Sequence, residues 1–402
     1  MIVRSSLHPF AVACALASLV SCGGTKGAAP LDSGAIAFDM TATLHSGEER
    51  HVCQFVRMPE TATFVRGGSY ETTVGTHHFL LFRTSAIIDS PPVIGVPVDC
   101  FEGAGVMRFE RGFVSGGQLD HDAAHFPAGV ALAFAPGEIL LFQGHFLNTT
   151  AGDAVSKIHV ELDPTPATDV LHRVGTYRFY DPYIVVPPHG QSTARMRCPI
   201  RHDVTLLSVG SHMHERGVAY RAYFDASEGA PAATPFFTTN DWQHPPYWYG
   251  PMEAKAGSAL RFECDYASKE DHSIAQGLRA REDEMCMLSA FYFPESPGDD
   301  DCASGDMHGT GTRSCAQTNS CIALCSPADA PRFGEGRADV GTCWQQCIVD
   351  SCPNVTAKLI PQQLCTEAHC ADACTSYGAA CTSCIETSCK AELDACQALS
   401  CD

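Results

Sequence analysis

Positive charge is scarce in this chain. Against 46 Asp and Glu it carries 26 Lys and Arg, a formal net charge of −20 over 402 residues. So acidic a composition excludes the basic faces that nucleic-acid binding needs, and equally a polybasic grip on anionic lipid. Past residue 21 no apolar run reaches the ~18 residues of a membrane span. Residues 35–176 lack any long 3.6-residue periodicity, which argues against helices there. Paired short C-x-x-C knuckles at zinc-module spacing are also missing, although the chain has 22 cysteines, so a zinc module is not the expectation.

What is present begins with an export signal. Arg4 gives a positive start, Phe10 to Val20 is an apolar run too short to span, and Leu19-Val20-Ser21-Cys22 resembles a bacterial lipobox. The expectation is cleavage of residues 1–21, lipidation of Cys22, and a flexible tether over 22–34 rich in Gly, Ala and Ser. The protein would be an exported bacterial lipoprotein, on the cell surface or in the periplasm, touching the membrane through its anchor alone. Even numbers of cysteines in an exported chain read as disulfides.

Short apolar runs punctuated by Gly, Pro and Asp fill the chain from Ala35 to Phe293. Strand candidates include His77–Phe82, Ile139–Phe146, Lys157–Leu162, a long run from Val204 to Phe224, Leu260–Tyr266 and Met285–Phe293. His159 lies on the polar face of its strand and is read as solvent-exposed. The expected fold class is mainly β: two tandem jelly-roll-like β-sandwich domains, at 35–176 and 177–302. An acidic, Gly-rich linker (303–314) leads to a disulfide-rich α-helical tail (315–402). Fourteen of the cysteines crowd into that tail with near-palindromic spacing. Two antiparallel helical hairpins would pair them as Cys325–Cys343 inside Cys321–Cys347 inside Cys315–Cys352, then Cys374–Cys381 inside Cys370–Cys384 inside Cys365–Cys389, with Cys396–Cys401 at the end.

The chemistry-bearing stretch is Gly210-Ser211-His212-Met213-His214. Residues two apart on a strand point the same way, so His212 and His214 present two imidazoles on one face, with Met213 directed away. Two histidines alone choose no metal. A thioether beside them makes a soft set that suits Cu(I), whereas three imidazoles suit copper or zinc. Met285 and Met287 share a strand face, and the residues themselves leave the choice between them open. Adjacent His77 and His78 point to opposite faces of a regular strand, so both reach one metal only at a strand end or a bulge. His145 follows 67 residues after His78.

Taken in order, H-H-F-L-L-F (77–82), Q-x-H-F-x-N (143–148), H-x-H (212–214) and D-E-M-C (283–286) resemble the copper type II, ascorbate-dependent monooxygenases. That is the family of dopamine β-monooxygenase and the peptidylglycine α-hydroxylating enzymes, and the resemblance covers roughly residues 35–302. It implies two copper ions per chain. His77, His78 and His145 would hold an electron-transfer copper, and His212, His214 and Met285 the oxygen-activating copper, with Met285 selected by the D-E-M-C match. It implies disulfides Cys53–Cys100, Cys198–Cys302 and Cys264–Cys286. The implied reaction uses O2 and ascorbate or another one-electron reductant to hydroxylate an activated C–H bond of a small organic substrate. Two departures bear on that substrate. Gly210 stands where peptide-hydroxylating members carry a carboxylate-binding Arg, and Ser289 where they carry a Tyr. Peptide amidation is therefore not expected, and Met287, Ser289, Trp242 and Tyr247 are candidates for a more apolar or aromatic pocket. The alternative is a non-catalytic copper-binding or surface-interaction lipoprotein, whose Cys-rich tail would bind another protein or the cell surface.

Overall fold

The computed structural model describes residues 34–84, 93–100, 106, 110–181, 183–296, 302, 309, 311–325, 342–352, 355–374 and 378–401. Strict alternation shapes its outermost strands. In Ile36–Leu44 the residues Phe38, Met40, Ala42 and Leu44 are buried, and the residues between them face solvent. This strand runs antiparallel to Ala154–Thr165 with Phe38 opposite Val160 and Met40 opposite Ile158, so both apolar rows share one face.

The first sheet runs, in spatial order, Ile36–Leu44, Ala154–Thr165, Thr63–Thr72, Val130–Phe134 and His172–Arg173, with His121–His125 added beside Thr63–Thr72. The second runs Val98–Asp99, Glu49–Arg57, Ile139–Leu147, Thr76–Thr84 and Glu110–Gly117. Their inner faces meet in one core, where Met40 and Ile158 pack with Phe79, Leu140 and Phe142. Each fully buried Phe or Leu there contributes about 1.5–3 kcal/mol.

Residues 175–293 build a second pair. One sheet runs Gly175–Tyr180, Cys286–Phe293, Val204–Met213 and Trp248–Ala254; the other runs Gln191–Pro199, Ala259–Ala267, Gly217–Asp225 and Phe237–Thr239. Leu206, Val209 and Leu288 meet Tyr220 and Phe262 between them. The Val204–Phe224 run is thus two strands, one in each sheet, joined by a turn, and not one long strand. Its turn closes with Gly217 N donating to the His214 carbonyl at 3.0 Å, which sets His214 just past the end of its strand.

The two sheet pairs are joined by apolar and polar contacts. Phe291 packs on Phe113 and Phe126, with ring centroids 5.7 and 5.3 Å apart, and Thr176 Oγ1 donates to the Phe113 carbonyl at 3.0 Å. Residues 35–402 form one compact unit. No helix among the described residues is long and apolar enough to cross a membrane. The leader, Cys22 and most of the 303–314 linker lie outside the described residues.

The tail is helical, with helices Cys315–Ile322, Thr342–Val349, Thr356–Cys370, Ala379–Ser388 and Lys390–Gln397. Ser314 and Gln317 form a reciprocal capping box at its first helix. Trp344, Ile348, Leu359 and Ile360 fill its core together with Tyr183 from the second sheet pair.

Ten disulfides are present among the described residues, as suits an extracytoplasmic protein. Cys53–Cys100, Cys198–Cys302 and Cys264–Cys286 brace the β blocks. In the tail Cys321–Cys347, Cys325–Cys343, Cys365–Cys389, Cys370–Cys384 and Cys374–Cys381 form nested pairs. The outer pairs differ from the palindromic reading. Cys315 bonds Cys396 and Cys352 bonds Cys401, in place of Cys315–Cys352 and Cys396–Cys401. The reason is packing: the last helix folds back beside Cys315–Ile322 and Thr356–Cys370 instead of ending as an independent hairpin. Asn319 marks that contact, its Nδ2 lying 2.9 Å from Gln362 Oε1 and 3.3 Å from Cys396 Sγ. Non-reducing peptide mapping is expected to recover Cys315 linked to Cys396. Recovery of a Cys315–Cys352 peptide would contradict this closure of the tail.

Candidate metal centre

Three adjacent strands of the first sheet pair carry histidines to one place. His145, on the middle strand, lies directly opposite His51 on one side and His78 on the other. Directly opposed residues share a face, so the three imidazoles form a row across the sheet. The register slips between Thr76 and His78, at the start of that strand. This irregularity brings His77 and His78 into the same cluster, the strand-end exception that adjacent histidines require. Their ring centroids lie 5.1 Å apart and each is 4.9 Å from His145.

The second sheet pair delivers His212 and His214, with ring centroids 5.1 Å apart. Met213 between them is buried in that pair's core. Each imidazole is held by its Nδ1: that of His212 lies 2.8 Å from Gln118 Oε1, and that of His214 3.0 Å from the Asp283 carbonyl. Gln118 comes from the first sheet pair, and its amide also donates to the Trp242 carbonyl. The D-E-M-C segment has a part in each residue. The Asp283 carbonyl accepts from His214, and the Glu284 carboxylate accepts the backbone N–H of His214 at 3.1 Å and of Arg216 at 2.7 Å. Met285 is buried on the cavity wall, and Cys286 is tied to Cys264.

The two histidine sets touch across the seam between the sheet pairs. His77 lies 5.6 Å from His212 and 6.2 Å from His214, and His78 lies 4.9 Å from His212, centroid to centroid. One nitrogen each of His77, His212 and His214 can be chosen so that all three lie within 4.8 Å of one another. His77 thus lies within reach of the H-x-H pair as well as of His78 and His145. Glu49, His51 and His145 form a second such group. Sequence reasoning missed Glu49 and His51. Their signal is only that Glu49, His51 and Cys53 alternate on one strand, and the value of that position depends on register with His145. His159, by contrast, is half-exposed and bonded to Asp39 at 2.8 Å.

These residues fit a metal. His77 Nε2, His78 Nδ1, His212 Nε2 and His214 Nε2 are buried and have no hydrogen-bond partner among the described residues. Burial first, and neighbouring imidazoles second, lower His212 to about 3 and hold His78, His145 and His214 well below the ordinary value of 6.5. Burial likewise takes His77 and His51 down to about 4. Neutral imidazoles with unprotonated nitrogens facing one another are the ligand form.

A cavity of about 410 Å³ opens beside the cluster between the sheet pairs. His78, His212, Met285, Met287, Ser289 and Tyr247 contribute to its wall. Trp242 sits instead against His77, edge to face at 5.7 Å. At Gly210 an added Cβ would lie 2.8 Å from the Tyr247 ring and 3.0 Å from Ser289 Oγ. The tyrosine thus occupies the space that a side chain at Gly210 would need.

Two outcomes follow. Unfolded imidazoles titrate near 6.5, while His77 and His51 protonate only near 4 and His212 near 3 in the folded protein. The unfolded chain binds more protons in that window, so metal-free stability is full above about pH 6.5 and falls as the pH drops toward about 4. Urea midpoints measured across that range are expected to fall, and His77→Gln is expected to flatten the slope. Gln118→Ala frees the His212 tautomer and is expected to weaken metal binding by about 10–100-fold in a competitive chelator titration, with Gln118→Glu restoring it.

No protein-family model matches the chain, and no curated protein does. Among solved structures the chain is similar to the PBSX exported protein XepA at 10% identity and a TM-score of 0.16, over 65% of this chain and 86% of that one. Against the structure of the infectious bursal disease virus Gt strain the values are 11% and 0.16, over 68% and 75%. Scores this low carry no argument about fold or function.

Proposed function

We propose that this protein is an exported, copper-dependent monooxygenase that hydroxylates an activated C–H bond of a small, largely apolar substrate, using O2 and an external one-electron reductant such as ascorbate. A lipid anchor at Cys22 belongs to the same reading. One observation carries it: three imidazole nitrogens, from His77, His212 and His214, converge within 4.8 Å beside a cavity whose wall includes Met285. Copper bound there would supply one-electron chemistry with dioxygen.

The chain's own residues do the rest. Gln118 and the Asp283 carbonyl hold the Nδ1 atoms of His212 and His214, leaving Nε2 of each for the metal. Met285 adds the soft thioether that favours the reduced ion. Phe79, Phe82, Phe113 and Phe291 on the cavity wall exclude water and receive an apolar substrate, and Met287 and Ser289 line the side nearer the histidines. The filled space over Gly210 argues against a carboxylate clamp of the peptide-hydroxylating kind.

The test is oxygen uptake by the copper-loaded protein with ascorbate and a panel of small aromatic and aliphatic substrates. Substrate-dependent uptake with a hydroxylated product is expected, and Met285→Ile is expected to abolish it while copper still binds. Uptake by Met285→Ile equal to wild type, above the free-copper background, overturns the reading. Stable copper binding without any uptake favours a non-catalytic copper protein.

A further inference from the structure

We propose that Glu49, His51 and His145 form a second metal site, taking a divalent first-row cation through one carboxylate and two imidazoles. One oxygen of Glu49 and one nitrogen of each histidine lie within 4.8 Å of one another. The strands bring them together by register. His51 and His145 are directly opposed, with ring centroids 3.9 Å apart, and Glu49 is two residues before His51 on the same face.

Glu49 Oε1 lies 2.7 Å from His145 Nε2, a hydrogen-bond distance; a separation of about 3.0–3.4 Å, wider by a few tenths of an ångström, lets both atoms bind one ion through bonds of about 2.0–2.2 Å. A cation there binds Nε2 of neutral His145, whose ring proton moves to Nδ1 and points at His78 Nε2, and it takes Glu49 as the carboxylate. Two neighbours fix the arrangement. Ala280 N, from the second sheet pair, donates to Glu49 Oε1 at 2.9 Å, and Gln143 Nε2 lies 3.4 Å from His51 Nδ1. His78 Nε2, 3.2 Å from His145 Nδ1, borders the site on the side of the other cluster. His145 is fully buried and the Glu49 side chain is 14% exposed, so the carboxylate is the member through which an ion enters.

The donor set separates this site from its neighbour. A carboxylate with two imidazoles suits Cu(II) or Zn(II), whereas the two imidazoles and thioether proposed for the His212–His214 site suit Cu(I). The site thus divides the histidines differently from the ligand set implied by the resemblance: His77 serves the H-x-H pair, and His145 serves Glu49 and His51.

The experiment is a copper(II) titration of the metal-free full chain, with bound copper counted by atomic emission after dialysis. Two equivalents are expected for the wild type, and one for Glu49→Gln, His51→Ala or His214→Ala, each checked for an unchanged circular dichroism spectrum. In His214→Ala the remaining copper isolates the Glu49 site, and its electron paramagnetic resonance spectrum is expected to show coupling to two imidazole nitrogens. Two equivalents retained by both Glu49→Gln and His51→Ala would show that Glu49 only orients His145, and overturn the proposal. A single equivalent in the wild type, or none in His214→Ala, overturns it as well. The hydroxylase reading is tested separately, because oxygen uptake can fail while the second equivalent still binds, and the second equivalent can be missing while uptake persists.

Discussion

Removal of a group of imidazoles from water is the constraint on which the rest of this structure depends. His51, His77, His78, His145 and His214 are buried, and His212 completes the cluster with its Nε2 shielded from solvent. Rings this close to one another can coexist only uncharged, and desolvation is the largest influence holding them so. The arrangement carries a cost. A buried nitrogen without a partner forfeits about 1–3 kcal/mol, and four such atoms stand here together. Single unpartnered atoms occur in the other cores, such as Tyr220 Oη and Trp344 Nε1, but none of those gathers several facing one another as the imidazoles do. An ion converts the same atoms from a penalty into bonds, which is why the unpartnered nitrogens weigh more than the count of histidines.

The scaffold around the cluster is built to hold directions. On the first sheet pair, cross-strand register lines up His51, His145 and His78, and one slip admits His77. On the second, the D-E-M-C segment works through its backbone and carboxylate as much as through its methionine. It fixes the turn after H-x-H by two amide hydrogen bonds to Glu284, whose own ionisation burial raises to about 8. The Cys264–Cys286 bridge anchors the strand that follows. His51, His78, His145 and His212 are oriented by strands, and the segments carrying His214, Gln118 and Asp283, just beyond strand ends, are held by hydrogen bonds and by the Cys264–Cys286 bridge.

Much of this was legible in the sequence. Alternation in Lys157–Leu162 and Leu260–Tyr266 announced β-sheet, and the composition of the tail announced short disulfide-bonded helices. The H-x-H spacing put His212 and His214 together, and Met213 faces the core as alternation requires. Illegible were the facts that depend on pairing between distant strands. His51 is an unremarked residue until register sets it opposite His145. Glu49 and Gln118 act across the seam between the sheet pairs, and no local pattern encodes a seam. The tail shows the same division. Hairpin-local spacing read out Cys325–Cys343 and Cys374–Cys381, whereas Cys315–Cys396 depends on where the last helix docks.

The seam itself gives the final step. His77 belongs to the first sheet pair and its partners His212 and His214 to the second, while Glu49 is bonded both to His145 and to the backbone of Ala280. A ligand set divided in this way exists only when the two sheet pairs are docked. Any ion that binds the assembled set and not the separated halves must therefore stabilise the docked arrangement, by about 2.7 kcal/mol at a hundredfold excess over its dissociation constant. Metal loading of that set and closure of the cavity between the sheet pairs would then be one equilibrium. The apolar wall formed by Phe113 and Phe291 and the imidazole cluster beside it are assembled by the same contact, so the water-excluded space and the ligand set come into being together.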